Sequence, residues 1–296
     1  MKNRSDLESV KDVNRMSQIS KSLEEKINKS IEVLKQAAYI SDTYYNKPLI
    51  VAYSGGKDSD VMLDLALKAD INFEVLYSTT TVDAPQTMRH IAEVFQVLKN
   101  LGIKTSRTIP RYQNETVSMF SLIVKKKTPP TRKVRYCCQI FKELSTPNRI
   151  VSVGVRSHES NNRKGRSDFQ LNVGKRNKEL HFSIDHTKEV FDEARTMDPV
   201  WDCTLVKMAK EKSDMLVNPI YYWTDSEIWQ YIHTNNIKYN KLYDMGFERV
   251  GCILCPIANR KSKIREEKMF PKIKLNYIKA FERMLEERRK SGLKDN

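Results

Sequence analysis

A chain of 296 residues, 40% of them hydrophobic, can bury a real core as one large α/β domain with appendages or as two small domains. The stretch from Met1 to Asp6 lacks an apolar signal core and no apolar run approaches bilayer length, so a membrane protein is excluded and a soluble, cytoplasmic one is expected. With 52 Lys and Arg against 37 Asp and Glu, the formal charge of +15 suits a nucleic acid or a polyanionic nucleotide, although basic residues are also common on solvated helix faces.

Residues 1–19 are polar and aperiodic, and read as a flexible N-terminus. Ser22-x-x-Glu25 reads as a capping box opening a helix with Leu23, Ile27, Ile31 and Leu34 on one face. The run from Leu49 to Tyr53 is a strand that stops at two glycines, and Asp60 to Leu67 follows at helical spacing. Ile71 to Tyr77 is a second strand. Asp83-Ala84-Pro85 starts a helix with the buried stripe Ile91, Val94, Phe95 and Leu98, which Gly102 closes before a third strand from Ile103 to Ile109. Alternating strands and helices call for a doubly wound parallel α/β sheet with ligand at the carboxyl ends of its strands, where the loop from Ser78 to Asp83 reaches a base or ribose or is a plain polar connection.

Further on, Arg149 to Val155 is another strand, and the basic, polar residues 164–186 read as a lid or a hairpin. Thr224-Asp225-Ser226-Glu227 is a second capping box, ahead of Ile228, Trp229 and Ile232. The tail from Lys272 to Arg289 is helical, with Ile278, Phe281 and Leu285 on one side. The basic clusters Lys125 to Lys127, Arg163 to Arg166 and Lys175-Arg176 form one nucleic-acid surface or three unrelated ones, and no aromatic residues interleave with them.

The string Ser54-Gly55-Gly56-Lys57-Asp58-Ser59 carries the chemistry of the first half. Two glycines let the backbone turn sharply and present its N–H groups, and a helix start favours an anion. Lys57 adds a movable cation, and Ser54 and Ser59 add hydroxyls. Asp58 is a candidate catalytic or Mg2+-binding carboxylate, or simply caps the helix. The spacing is not that of the P-loop, Gly-x-x-x-x-Gly-Lys-Ser/Thr. The string resembles the pyrophosphate loop of the ATP-pyrophosphatase (PP-loop) superfamily, which implies a domain of adenine nucleotide alpha hydrolase type that binds ATP or an adenylyl sulfate.

The five cysteines are Cys137, Cys138, Cys203, Cys252 and Cys255. An odd count in an intracellular setting speaks against a disulfide framework. Cys252-x-x-Cys255 lets two thiolates converge on one metal from a tight turn, with Gly251 and Pro256 suited to it. Neighbouring side chains such as Cys137 and Cys138 diverge on a helix or strand, and reach a four-iron cluster more easily than a single zinc ion. A 4Fe-4S cluster on Cys137, Cys138, Cys252 and Cys255 is therefore expected ahead of zinc or no metal, and Cys203 reads as a packed thiol.

Thr131-Arg132-x-x-Arg135-Tyr136-Cys137-Cys138, then Gly154-Val155-Arg156-x-x-Glu159-Ser160-x-x-Arg163, then Asn218-Pro219 through Tyr239-Asn240-x-Leu242-Tyr243-Asp244 to Gly251-Cys252-x-x-Cys255 resemble the phosphoadenosine phosphosulfate reductase family in order, over roughly residues 20 to 285. The four cysteines are similar to the cluster ligands of adenylyl-sulfate reductases and of the DndC-like DNA-phosphorothioation branch. Arg156 and Arg163 also offer forked donors for phosphate or sulfate, with Glu159 and Ser160 between them as ribose acceptors. Two features depart from the reductases: no cysteine follows Cys255, where they carry a Glu-Cys-Gly-type segment, and no Asp-Thr-Gly follows the second strand.

The resulting expectation is an iron-sulfur ATP pyrophosphatase acting in sulfur transfer, with a nucleotide domain over residues 20–250 and a Cys-x-x-Cys segment with its helix over 251–296. A sulfonucleotide reductase using a thiol in trans and a non-catalytic nucleic-acid-binding subunit are the alternatives. The expected partners are an adenine nucleotide, a nucleic acid on the basic surface and a sulfur donor or reductant protein, with no membrane.

Overall fold

The computed structural model describes residues 20–142, 146, 148–157, 168–171, 180–182 and 215–294. They divide into two compact units, the first drawn from the stretches 1–76, 94–106 and 146–240 and the second from 77–93, 107–145 and 241–296. The division follows packing rather than chain order. No helix among the described residues is long and apolar enough to cross a membrane.

The first unit is built on strands β1 (Leu49–Ala52), β6 (Ile150–Ser152), β7 (Phe169–Leu171), β8 (Leu180–Phe182) and β9 (Met215–Val217), with β2 (Phe73–Ser78) and β3 (Thr105–Thr108) passing on into the second. The sheet order is β3-β2-β1-β6-β9-β7-β8. β1 pairs in parallel with β2 and β6, and β6 with β9. Going out from β1 to β3 and then returning past β1 to β6 makes the sheet doubly wound, the topology that puts ligands at the carboxyl ends of strands flanking the reversal. β7 and β8 form an antiparallel hairpin at one edge, so the hairpin reading of residues 164–186 holds for the described strands.

β1 needs no alternation because it is covered on both faces: Leu49, Ile50 and Val51 are all buried. Helix α1 (Lys21–Ile40) begins at Ser20, whose hydroxyl accepts from Leu23 N, two residues ahead of the expected box at Ser22. Its buried stripe runs through Val33, Leu34, Ala37 and Ala38, while Ile27 and Ile31 are half-buried. Helix α2 spans Lys57–Lys68. Helix α3 (Pro85–Asn100) starts at its proline as expected.

Helix α6 (Asp225–Thr234) has the expected capping box, with Thr224 and Glu227 exchanging hydrogen bonds. Trp223, just ahead of it, is buried and donates Nε1–H to Ser30 of α1 over 3.0 Å. Lys26 of α1 binds Glu227, and Tyr231 of α6 donates to Asp64 of α2 over 2.6 Å. These ties fix the start of α6 against both neighbouring helices.

The second unit holds β4 (Arg111–Tyr112), β5 (Glu115–Thr116), α4 (Met119–Lys126), α5 (Tyr136–Phe141), α7 (Arg260–Met269) and α8 (Pro271–Lys290). β4 and β5 form a hairpin whose two turn residues, Gln113 and Asn114, have φ of 51° and 63°, the positive pair of a type I′ turn. α8 buries Tyr277, Ala280 and Met284 with Phe281 and Leu285 partly covered, whereas Ile278 is 43% exposed. This corrects the expected stripe: the covered face of α8 is centred on Tyr277, Ala280, Phe281 and Met284, and Ile278 falls at its exposed edge.

Glu74 of β2 is 6% exposed and accepts from Arg149 over 2.6 Å and pairs with Lys104 over 2.7 Å. Burial alone would raise its pKa, but the two cations outweigh it and hold the carboxyl below the ordinary glutamate value. A depressed native pKa stabilises the fold above the unfolded value, and that contribution disappears as pH falls through the native one. Glu74→Gln should lower unfolding stability at neutral pH by about 2 kcal/mol and flatten the acid limb of the stability curve, measurable by denaturant unfolding across pH.

Candidate functional site: a phosphate loop and a group of thiols

The loop in the first unit begins where β1 ends. Tyr53 is buried and donates its hydroxyl to Asp60 over 2.5 Å, which ties the strand exit to α2. Gly55 has φ +70°, a conformation that costs a side-chain-bearing residue about 1 kcal/mol or more, and Gly56 in extended conformation caps α2. The Ser59 hydroxyl closes the loop from inside. It accepts from Ser54 N (3.3 Å) and Gly56 N (3.1 Å) and donates to the Gly56 carbonyl (2.7 Å). Asn240 donates to the Gly55 carbonyl over 2.9 Å and pins the loop from a distant part of the chain.

Two cations stand under this loop. Lys57 is 2% and Arg156 4% exposed. Arg156 arrives from the β6 exit through Gly154, where a Cβ would lie 3.3 Å from the Asp58 carbonyl carbon, so only glycine passes this close without displacement. Arg156 Nε is 2.6 Å from Asp58 Oδ1, and Lys57 Nζ is 3.8 Å from Asp58 Oδ2. Both cations also converge on one oxygen of Asp225: Oδ1 is 3.1 Å from Lys57 Nζ and 2.9 Å from Arg156 Nη2. Burial tends to raise the Asp225 pKa, and the two cations override it and hold the carboxyl below its ordinary range.

Of the expected contacts, Ser54, Gly55, Gly56, Lys57, Asp58, Ser59 and Arg156 come together in this unit. Glu159, Ser160, Arg163 and Cys203 lie outside the described residues. Sequence reasoning did not single out Asp225 or Asn240 as site residues. The sequence offered Asp225 only as the second residue of a capping box and Asn240 as one position in a family pattern.

The second unit gathers the other four cysteines. Cys137 and Cys138 lie on α5, and Cys252 and Cys255 on a turn where Leu254 takes φ +53°. That turn is held by Ile253 N donating to the Val82 carbonyl and Leu254 N donating to the buried Glu266. A hydrogen bond with Cys138, then burial, then the charges of Cys138, Cys255 and Cys252 push the Cys137 thiol far up. Burial pushes Cys252 up to about 11 against the pull of Lys142 and a hydrogen bond from Thr80. Burial also raises Cys255, against the N–H groups of Ile257 and Ala258. Electrostatically, the thiols form one group.

Among the described residues no three His, Cys, Asp or Glu side chains stand close enough to hold a single metal ion. Two cysteines on α5 and two on the turn offer the four thiolate donors that a 4Fe-4S cluster would take. Tyr277 fits the same reading. Its hydroxyl is buried with no hydrogen-bond partner, and burial followed by Cys252, Cys255 and Cys137 raises its pKa. A donor orphaned among thiols is what the sulfur atoms of a cluster would satisfy.

A family model described as the phosphoadenosine phosphosulfate reductase domain matches residues 48–258. An uncharacterized protein of Methanocaldococcus jannaschii is 28% identical over 247 residues, covering 79% of this chain and 42% of the relative. The chain thus spans less than half of that relative's length. The adenosine 5′-phosphosulfate reductase of Anoxybacillus flavithermus is 24% identical over 212 residues, covering 72% of this chain and 74% of that protein. The U34-tRNA thiolase NcsA from Methanococcus maripaludis, solved with its 4Fe-4S cluster, covers 90% of this chain and 80% of that one at 14% identity and a TM-score of 0.43, a likeness too loose to bear on the site.

Ser59→Ala should remove the acceptor of the Ser54 and Gly56 amides, lower stability by about 1 kcal/mol and speed hydrogen exchange at both amides, while strands β6 and β9 keep their protection.

Proposed function

The chain belongs to the phosphoadenosine phosphosulfate reductase family, and on that premise we propose that it is an enzyme that binds ATP, adenylylates an acceptor with release of pyrophosphate, and so acts in sulfur transfer. The observation that carries this reading is the burial of Lys57 and Arg156 beneath a glycine loop at the start of a helix. Such a site is organised for a polyanion.

The β- and γ-phosphates would lie over Gly55 and Gly56, and Mg2+, when bound, would offset part of their charge. Lys57 and the first-turn amides stabilise the negative charge that develops on the leaving pyrophosphate. An acceptor oxygen attacks the α-phosphorus, the bond from phosphorus to the bridging oxygen breaks, and pyrophosphate departs with that electron pair. A sulfur nucleophile then displaces AMP. Cys137, Cys138, Cys252 and Cys255 would hold a 4Fe-4S cluster, which when bound supplies a place to carry sulfur or to tune the acceptor chemistry. Tyr277 would donate a hydrogen bond at that centre.

The charge distribution supports a nucleic acid as acceptor. The second unit carries 25 Lys and Arg against 12 Asp and Glu, a formal +13 over 112 residues, whereas the other 184 residues hold 27 against 25 and only +2. Arg132, Lys133 and Arg135 are exposed in the segment that leads straight into the cysteine helix α5. Lys272, Lys279 and Arg283 recur at i, i+7 and i+11 along the exposed side of α8. The arrangement suits a sugar-phosphate backbone better than base stacking, which needs exposed aromatic rings.

A second reading, reduction of adenylyl sulfate with a thiol supplied in trans, is favoured by the Anoxybacillus relative. It requires sulfite release from adenylyl sulfate in the presence of a thiol reductant.

Anaerobically purified protein should contain about four irons per chain and release pyrophosphate from ATP in the presence of acceptor. Lys57→Ala should slow release about a hundredfold with iron content unchanged. Zinc, or no metal with no turnover of ATP, would refute the proposal. Replacing Arg132, Lys133 and Arg135 together by Ala should weaken binding of duplex DNA or folded RNA about tenfold, and make the salt dependence shallower by about one unit for each phosphate that these side chains neutralise. Fluorescence anisotropy at several ionic strengths reads both.

A further inference from the structure

Two almost fully buried cations cannot stand without counter-charge, since an unpaired buried charge costs several kcal/mol. Asp58 and Asp225 supply it, and the two differ. Asp58 belongs to the first turn of α2, its side chain is 17% exposed, and it faces Arg156 through Nε. Asp225 comes from the start of another helix, α6, and its side chain is 60% exposed even though one of its oxygens binds both Lys57 and Arg156. A carboxylate oxygen about 3 Å from both buried cations stands where an anionic ligand oxygen would be held. Its exposure means that it can turn into water at little cost, which Asp58 cannot.

We propose that Asp225 is a resident counter-anion of the phosphate site: in the nucleotide-free protein it holds Lys57 and Arg156 in their ligand-binding positions, and a nucleotide phosphate oxygen displaces it. This rests on the phosphate-loop reading above. The exchange is one of ion pairs. Lys57 and Arg156 release Asp225 Oδ1 and bind a phosphate oxygen in its place, and the freed carboxylate is solvated. A carboxylate that stayed in place would repel the incoming phosphate, because like charges in one site are costly.

Displacement has a thermodynamic signature that neither a structural role nor direct ligand binding shares. Whatever stability Asp225 gives the empty site must be subtracted from the affinity for phosphate. Thermal unfolding and calorimetric titration with inorganic pyrophosphate would be measured for the full chain, for Asp225→Asn, for the shorter Asp225→Ser as a second variant, and for Asp70→Asn. Asp70 is an exposed turn residue just past the opposite end of α2, so its substitution tests the effect of removing one charge without touching the cations. Asp225→Asn should bind pyrophosphate about five to ten times more tightly, and Asp70→Asn within about twofold of wild type. Without ligand, Asp225→Asn should unfold at lower temperature than wild type, and saturating pyrophosphate should close the gap. Equal or weaker binding by both Asp225 variants, or a stability gap that persists at saturation, would overturn the proposal. If no protein binds pyrophosphate, the phosphate-loop reading itself fails and this one with it, which is a different outcome from equal binding by all.

Discussion

Burying Lys57 and Arg156 side by side is the constraint that the first unit answers to. Each cation must keep an anion within reach, so the elements carrying the anions have to be placed to within a fraction of an ångström. Asp58 comes with the helix that starts at the glycine loop, but Asp225 comes from a helix more than 150 residues later. Contacts far from the loop therefore bear on it. Trp223 on Ser30, Lys26 on Glu227 and Tyr231 on Asp64 fasten α6 to α1 and α2, and in doing so fix where the Asp225 carboxylate stands.

The second unit meets a different demand. Its apolar core of Val82, Leu122, Ile123, Phe141, Ile253 and Phe270 surrounds polar sulfur atoms and an orphaned tyrosine hydroxyl. Burial raises the thiols' affinity for protons, and a cationic metal centre would reverse that by stabilising the thiolate form. Binding of the proposed cluster would offset the cost of ionising the thiols in these surroundings.

Signals that are local in sequence were readable. The strand-to-helix turn at Ser54 to Ser59, the capping box at Thr224 and the proline start at Pro85 each depend on a few adjacent residues, and each stands as expected. What was missed depends on partners distant along the chain. The expected cap was Ser22, and the helix instead starts at Ser20, whose hydroxyl accepts from Leu23 N. On α8 it is Tyr277, not its neighbour Ile278, that turns to the core, and apolar periodicity alone did not mark the tyrosine as part of the stripe. The hairpin at Gln113-Asn114 has strands of two residues, too short for alternation to show. Asp225 was visible as a helix residue but not as a partner of Lys57, because nothing in a linear pattern reports that two helix starts meet.

The interleaving of the two units also sets an order of events as the chain is made. The second unit is assembled from three separate stretches, the last of which begins at residue 241. Cys137 and Cys138 therefore leave the ribosome more than a hundred residues before Cys252 and Cys255, and for that interval they are exposed to oxidants and stray metals without the turn or the Tyr277 helix that enclose them. Closing so long a loop is slow compared with forming local helices. Cys137 and Cys138 thus stay bare through much of translation, and a centre held by all four cysteines, as proposed above, would form only once the last stretch has been made.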